Sequence, residues 1–541
     1  MNGLHHFFTP LDWAVVVGYF LLATLVGFLM RGGRQASIKD FFLGGRSLPW
    51  AAVTGSLMAT EISGLTFIVV PAMVVALQGD FTYLQWAIGS ISGRILVGLF
   101  FVKVFYENDV YSPYDFMGCR LGSGVKTFAT IIFTVGNILA QSARVLFVAL
   151  LLRVVTALPF EWCIAVICFF AMGWTLMGGM RTVIWTDVMQ VALFTIGGTM
   201  ALAWMLGNFE NGWQTLYTTA GAAEQLDGTV IDKLRVFNFS TLPELRLTFW
   251  VAIFAVPFLN LNAFGADQVN AQRLFCCRGS GDAKKAIIWS SAGQLLTALM
   301  LMIGAALFVF YMKHPPTDPL IMGVMKWSAG QSGSPDMVFP VWILTELPTG
   351  MRGLMLSCLF AAAISSLDSI LAALSQTTLS MLRRTDGDFT ELEHLRLVRH
   401  SRFLVVFWGA VLTGFTFVLF AVHEKTNASI LPLAFGMTTY TVGPLLGMFL
   451  IALLGGGRGS VKGLIAGALI SFVLVFFVRN DVWVLFMNDA LALWLAKLPS
   501  YELVEGPPMT VRTTLASEWM WPITTFLTMA LGWVFGKKKP H

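Results

Sequence analysis

Residues Gly353–Leu382 read GLMLSCLFAAAISSLDSILAALSQTTLSML, a long apolar run that ends against Arg383 and Arg384. At about 1.5 Å per residue such a helix is roughly 45 Å long, enough to cross a bilayer with tilt. Its middle nevertheless holds Ser365, Ser366, Asp368 and Ser369. Positions 365, 368 and 369 stand at i, i+3 and i+4, so their oxygens share one face. A carboxylate at that depth costs a few kcal/mol or more, and survives only if it is paired, protonated or bound to a cation. An oxygen-only set with no Cys or His suits a hard cation, sodium first. The Ala and Ser residues around it admit close approach by neighbouring helices. The other reading is a helix seam in which an arginine satisfies Asp368.

Composition makes the rest of the chain a setting for this helix. Over 541 residues, 56% are apolar and 12% charged, with a mean hydropathy of +0.74. That is a polytopic all-α membrane protein, not a soluble enzyme or a barrel. The net charge of +5 sits in short loops and gives no reason to expect nucleic acid as a partner. Thirteen spans are expected, at 11–30, 49–77, 82–106, 124–152, 159–178, 183–206, 247–272, 286–312, 351–382, 400–422, 428–454, 461–479 and 516–536. Arg31, Arg34 and Lys39, then Arg273, Arg278, Lys284 and Lys285, then Arg383, Arg384, Arg396 and Arg399, and finally Lys537, Lys538 and Lys539 fall on one side of such a bundle. An outside N-terminus and a cytoplasmic C-terminus follow from that bias. Val482–Leu498, interrupted by Asn488 and Asp489, reads as an outer interfacial or hairpin helix and not as a span.

Other spans carry polar groups too. The second contains Ala59-Thr60-Glu61-Ile62-Ser63-Gly64-Leu65-Thr66 and then Pro71. This reads as a broken helix whose Ala59 and Ile62 carbonyls can coordinate an ion, or as a kinked one with hydroxyls bonded back to the backbone. The seventh is interrupted in the same way by Pro257, Asn260, Asn262, Gly265, Asp267 and Gln268. Interrupted spans in corresponding halves point to a transporter's central site, each here opening a set of five spans. Arg144 in the fourth span needs a carboxylate, either a solute's or that of Glu61. Arg94 in the third span reads as structurally paired. Asp187, near the start of the sixth span, is favoured there by the helix dipole alone. Tyr83, Gln85 and Trp86 line a solute pocket or form an aromatic belt.

Five short motifs, in order, resemble those of the sodium:solute symporters, whose members carry sugars, monocarboxylates, vitamins, proline and sialic acids. They are Phe41-Phe42-Leu43-Gly44-Gly45-Arg46-Ser47-Leu48-Pro49, Tyr111-Ser112-Pro113-Tyr114-Asp115-Phe116, Gly178-Gly179 with Trp185-Thr186-Asp187, Asp267-Gln268 with Gln272-Arg273, and Ala361-Ala362-Ala363-Ile364-Ser365-Ser366-Leu367. The resemblance spans about residues 11–480. It implies the 5+5 inverted-repeat fold of the amino-acid symporter LeuT. One helix is added before it (11–30), the repeats lie at 49–206 and 247–454, and two helices follow within 461–536. It implies a sodium site at the carbonyls of Ala59, Ile62 and Ala362 and the hydroxyls of Ser365 and Ser366. In the sialic-acid branch, which together with the monocarboxylate transporters is the nearest match, a second site falls at Asp187, Ser365, Asp368 and Ser369; Asp368 replaces a hydroxyl there. That branch also places an arginine at Arg144 on the solute carboxylate, with hydroxyls at Ser63 and Thr66 nearby. Glu61 departs from the neutral residue usual at its position.

These observations describe a sodium-coupled symporter and not an enzyme. It works in the plasma or inner membrane with one or two Na⁺, and imports a small polar, carboxylate-bearing solute by alternating access. A monomer suffices for this. Glu61, Ser63, Thr66, Tyr83, Gln85, Arg144, Asp267 and Gln268 are the solute candidates. Proton coupling, sodium/sugar symport and a non-transporting solute sensor are the alternatives.

Overall fold

The computed structural model describes every residue except 1–7, 33–36, 225–229, 316–320, 322–334, 383–389, 427–429, 457–458, 480–488, 499, 505–509 and 537–541. Arg34, Arg383, Arg384 and Lys537–Lys539, counted above for orientation, lie outside the described residues, as does the first part of Val482–Leu498.

Among the described residues eleven helices are long and apolar enough to cross a membrane, or twelve when the bent pair Trp50–Glu61 and Gly64–Val75 is taken as one span. The thirteenth expected span is the helix Met520–Val534, only 15 residues long. At about 1.5 Å per residue it reaches roughly 22 Å, short of a hydrocarbon core of about 30 Å. Its inward face packs on Ile430–Leu454 and Val461–Val478.

The helices begin where local chemistry lets them. Thr9 and Asp12 form a capping box for Pro10–Met30. The Oδ1 atom of Asp12 also accepts the N–H groups of Gly350 (2.7 Å) and Gly353 (3.0 Å), so the opening helix caps the start of the central helix Met351–Leu382. Thr390 and Glu393 make a reciprocal cap that starts the next helix at Glu391, ahead of its apolar run.

Two helices are broken. The first bends by 57° between Trp50–Glu61 and Gly64–Val75. The second runs from Phe249 through Pro257 into a π turn at Asn262–Ala266, leaves helical geometry at Asp267 (φ −87°, ψ 131°), and resumes as Gln268–Phe275. Four membrane-length helices follow each break, with Pro10–Met30 before them and Val461–Val478 and Met520–Val534 after them. This is the LeuT-like order. The central helix packs against both halves of the first broken helix and against Met180–Gly207 and Ser123–Thr156. Nearly all of it is buried.

Candidate solute and cation site

At the first break, Glu61 is the last helical residue and Ile62 turns out of the helix at φ −85°, ψ 85°. The N–H of Ile62 goes to Met58 O (3.2 Å), that of Ser63 to Glu61 O (3.1 Å), and that of Phe67 to Ser63 O (3.1 Å). The Thr66 hydroxyl also bonds Glu61 O (3.0 Å). The carbonyls of Ala59 and Ile62 are thereby left out of the backbone ladder among the described residues. Carbonyls released from the ladder in this way are donors a hard cation accepts.

Across from the break, the central helix turns Ser365 and Ser366 to different partners. The Ser366 hydroxyl donates to Ala362 O at 3.2 Å. That of Ser365 donates to Asp187 Oδ1 at 2.9 Å. A hydroxyl has one proton and two lone pairs, so Ser365 keeps acceptor capacity for a cation.

The expected second cation set does converge, but around an arginine. Arg273 and Asp187 are both fully buried and pair at 3.0 Å. Arg273 also donates to Ser56 Oγ (2.8 Å), to Val269 O (2.7 Å) and to Ser369 Oγ. Ser56 completes Asp187 with a bond of 2.5 Å. Two sequence readings need correction here. Arg273 is not a loop charge that reports orientation, because the resumed half of the second broken helix turns it inward. Asp187 is not in a first helical turn, because its helix starts at Met180.

Asp368 is served less well. The hydroxyl of Ser369 lies 3.1 Å from its Oδ1 and 2.6 Å from Ser365 O. One proton cannot serve both acceptors, and the nearer carbonyl takes it. Asp368 Oδ2 is buried and has no hydrogen-bond partner among the described residues. Two acids and one guanidinium thus share a fully buried cluster.

The two breaks face a cavity of about 330 Å³. Glu61, Ser63, Thr66, Tyr83, Arg144 and Asp267 line it, with the aromatic floor extended by Trp86 and Trp521. Gln85 and Gln268 do not. Gln85 is buried and accepts the Asn238 N–H at 3.3 Å. Gln268 bonds Gln376 Oε1 (2.8 Å) and Tyr111 O (3.3 Å), which fastens the resumed half-helix to the central helix.

Glu61 goes to Arg94, not to Arg144. Arg144 takes part in no ion pair among the described residues, and its buried Nε has no hydrogen-bond partner. Asp267 shares the cavity wall but commits Oδ1 to the N–H of Val269 at 2.8 Å, capping the resumed helix.

The model of the sodium:solute symporter family matches residues 41–470. The chain belongs to that family. This sodium:solute symporter is 27% identical over 454 residues to the human sodium/iodide cotransporter, covering 82% of its own length and 65% of that relative's. It is also 27% identical over 479 residues to the human sodium-coupled monocarboxylate transporter 1, covering 86% and 73%. It thus spans just under two thirds of one relative and somewhat more of the other. Its fold matches that of a Na⁺-coupled sialic acid symporter solved in a substrate-bound outward-open state. The TM-score is 0.77 at 21% identity, over 98% of this chain and all of that one. The family is one of transporters, not enzymes.

Proposed function

We propose that this chain is a sodium-coupled secondary active symporter that imports a small, carboxylate-bearing polar solute through the cell membrane. The observation that carries the solute reading is Arg144, a guanidinium at the cavity wall in none of the ion pairs described: Glu61 is held by Arg94, and Asp267, the acid whose charge reaches Arg144, spends Oδ1 on capping its own helix. A buried guanidinium selects a planar carboxylate because it can donate two parallel bonds to it. Both named relatives carry anions by name, one of them a monocarboxylate. Ser63 and Thr66 at the broken helix, Tyr83 and Asp267 serve the polar body of the solute.

The coupling ion sits at Ala59, Ile62, Ala362, Ser365 and Ser366. There it ties the broken helix to the central helix and favours the state that accepts solute from outside. Its loss to low cytoplasmic sodium releases the tie. One charge crossing about 100 mV contributes about 2.3 kcal/mol. A second sodium at Asp187, Ser365, Asp368 and Ser369 has to share the cluster with Arg273, and Asp368 is the acid left for it. The bare Asp368 Oδ2 also favours a second reading, in which a proton accompanies the first sodium; the charge moved per solute at different pH separates the two. The repeats 49–206 and 247–454 rock about this site, with the N-terminus outside and the C-terminus cytoplasmic, and one chain holds the whole cavity.

The test is a thermal-shift screen of carboxylates, sugars and amino acids in sodium and in choline. A ligand at 100 times its Kd raises stability by about 2.7 kcal/mol. Carboxylates should stabilise the wild type only in sodium, and Arg144→Ala should lose that response. Stabilisation by neutral sugars, or an unchanged Arg144→Ala response, would remove the carboxylate reading.

A further inference from the structure

Arg94 is fully buried in a span that supplies none of the sodium donors, yet its guanidinium touches three other elements. It pairs with Glu61 at the break of the first broken helix. Its Nη1 donates to Ser290 Oγ at 2.9 Å, at the joint between Ser280–Trp289 and Gly293–Lys313. It also lies 4.6 Å from the ring centre of Phe264, in the π turn of the second broken helix. Glu61 reaches this meeting point through a gap left by a glycine. A Cβ on Gly293 would stand 3.3 Å from Glu61 Oε2 and 3.5 Å from Met58 Cγ.

We propose that the Glu61–Arg94 pair is a positioning device that presets the carbonyls of Ala59 and Ile62 for sodium. The inference rests on the sodium reading above and adds residues that are not ion ligands. Once the chain leaves the helical ladder at Ile62, backbone hydrogen bonds no longer fix where these carbonyls point. A charge-assisted contact one residue from Ile62 and two from Ala59 fixes it, and Arg94 refers that contact to both broken helices at once. The pairing acts on charge as well. A bare guanidinium beside the break would repel an arriving cation, and more strongly in the interior than in water. With Arg94 neutralised by Glu61, and Arg246 at the cavity wall paired with Glu518, Arg144 is the cavity cation beside the first break assigned to the solute.

The experiment uses the full chain purified in detergent. NaCl replaces choline chloride at constant ionic strength, no solute is added, and thermal unfolding is followed. Glu61→Gln is expected to raise the sodium concentration for half-maximal stabilisation about tenfold. The double variant Glu61→Gln/Arg94→Gln leaves no lone buried charge at the pair, so it decides the matter if Glu61→Gln does not fold. It is expected to keep a several-fold rise, because the brace is gone. A lower unfolding temperature with a wild-type sodium midpoint in both variants would make the pair merely structural and overturn the proposal. A wild type that responds equally to sodium and choline would sink the sodium reading itself, and the positioning role with it.

Discussion

Replacing Arg273 by Met is the severest test of the buried charge cluster. The wild-type arrangement holds two acids and one guanidinium, and Arg273 and Asp187 are both fully buried. Removing one partner of a buried pair strands the other, at a cost of about 3–5 kcal/mol. Asp187 would keep Ser56 and Ser365 as donors, but Asp368 would lose the nearby cation that balances it. Arg273→Met should therefore unfold earlier in a detergent melt followed by tryptophan fluorescence. Sodium should stabilise the variant more than the wild type, because the stranded acids now offer a cation site. At 100-fold excess over its Kd, sodium would restore about 2.7 kcal/mol of the loss. Arg273→Met/Asp187→Asn should be less destabilised than the sum of the two single changes, since the pair acts as a unit. If Arg273→Met melts like the wild type, or responds no more strongly to sodium, the cluster is not closed in the folded protein and this reasoning fails.

Arg144→Ala should weaken carboxylate binding about 10- to 100-fold, in line with loss of a hydrogen bond to a charged group, and Arg144→Lys should not restore it fully; isothermal titration with a carboxylate from the screen would show otherwise by an unchanged Kd. Ser366→Ala should raise the half-saturating sodium concentration about two- to tenfold, the scale of one neutral donor, as read by sodium-dependent fluorescence. Lys233 is fully buried and donates to the carbonyls of Val74 (2.8 Å), Ala76 (2.9 Å) and Gly79 (3.1 Å) at the end of the first broken helix. Lys233→Met should cost about 1–3 kcal/mol by leaving those carbonyls unserved. Burial pushes the Lys233 ammonium down to about 8 from 10.5, against the opposing pull of Asp80. The folded chain then binds fewer protons than the unfolded one from about pH 8 to 10.5. Wild-type stability relative to Lys233→Met should therefore rise across that window, and a flat difference would contradict it. Asp12→Ala should cost about 1–2 kcal/mol in a melt, the scale of a lost helix cap, because it removes the acceptor of the Gly350 and Gly353 N–H groups as well as its own helix's cap.

How much of this is legible without coordinates depends on the range of the interaction involved. Apolar run length carries across a span, so the position of nearly every membrane helix can be read directly. The short helix Met520–Val534 shows the limit, because the turn Ser517–Trp519 that leads into it carries Glu518, which pairs with Arg246 and does not extend the apolar run. The first break is also legible, since Glu61, Ser63, Gly64 and Thr66 within one apolar run compete with the helical ladder locally. Which cation Glu61 meets is not. That depends on how the span containing Arg94 is rotated against the break, and nothing local encodes it. Arg273 is the instructive miss. It follows a broken helix and precedes Arg278, Lys284 and Lys285, so it counts naturally as a loop charge. The signal that could have found it was the unpaired pair of intramembrane acids, Asp187 and Asp368, which needed a cation from somewhere. Gln85 and Gln268 lie outside the cavity wall, each with one amide atom spent elsewhere, Gln85 Oε1 on the Asn238 N–H and Gln268 Nε2 on Gln376, and nothing in their local sequence signals those partners.

The central claim is that oxygens from the first break and from the central helix hold sodium together. Equilibrium binding of radiolabelled sodium to the purified chain tests it most directly. The account predicts saturable binding that unlabelled sodium displaces and that potassium and choline do not, weakened when Ser365 and Ser366 are both changed to Ala. No saturable binding, or binding indifferent to those two hydroxyls, would contradict it.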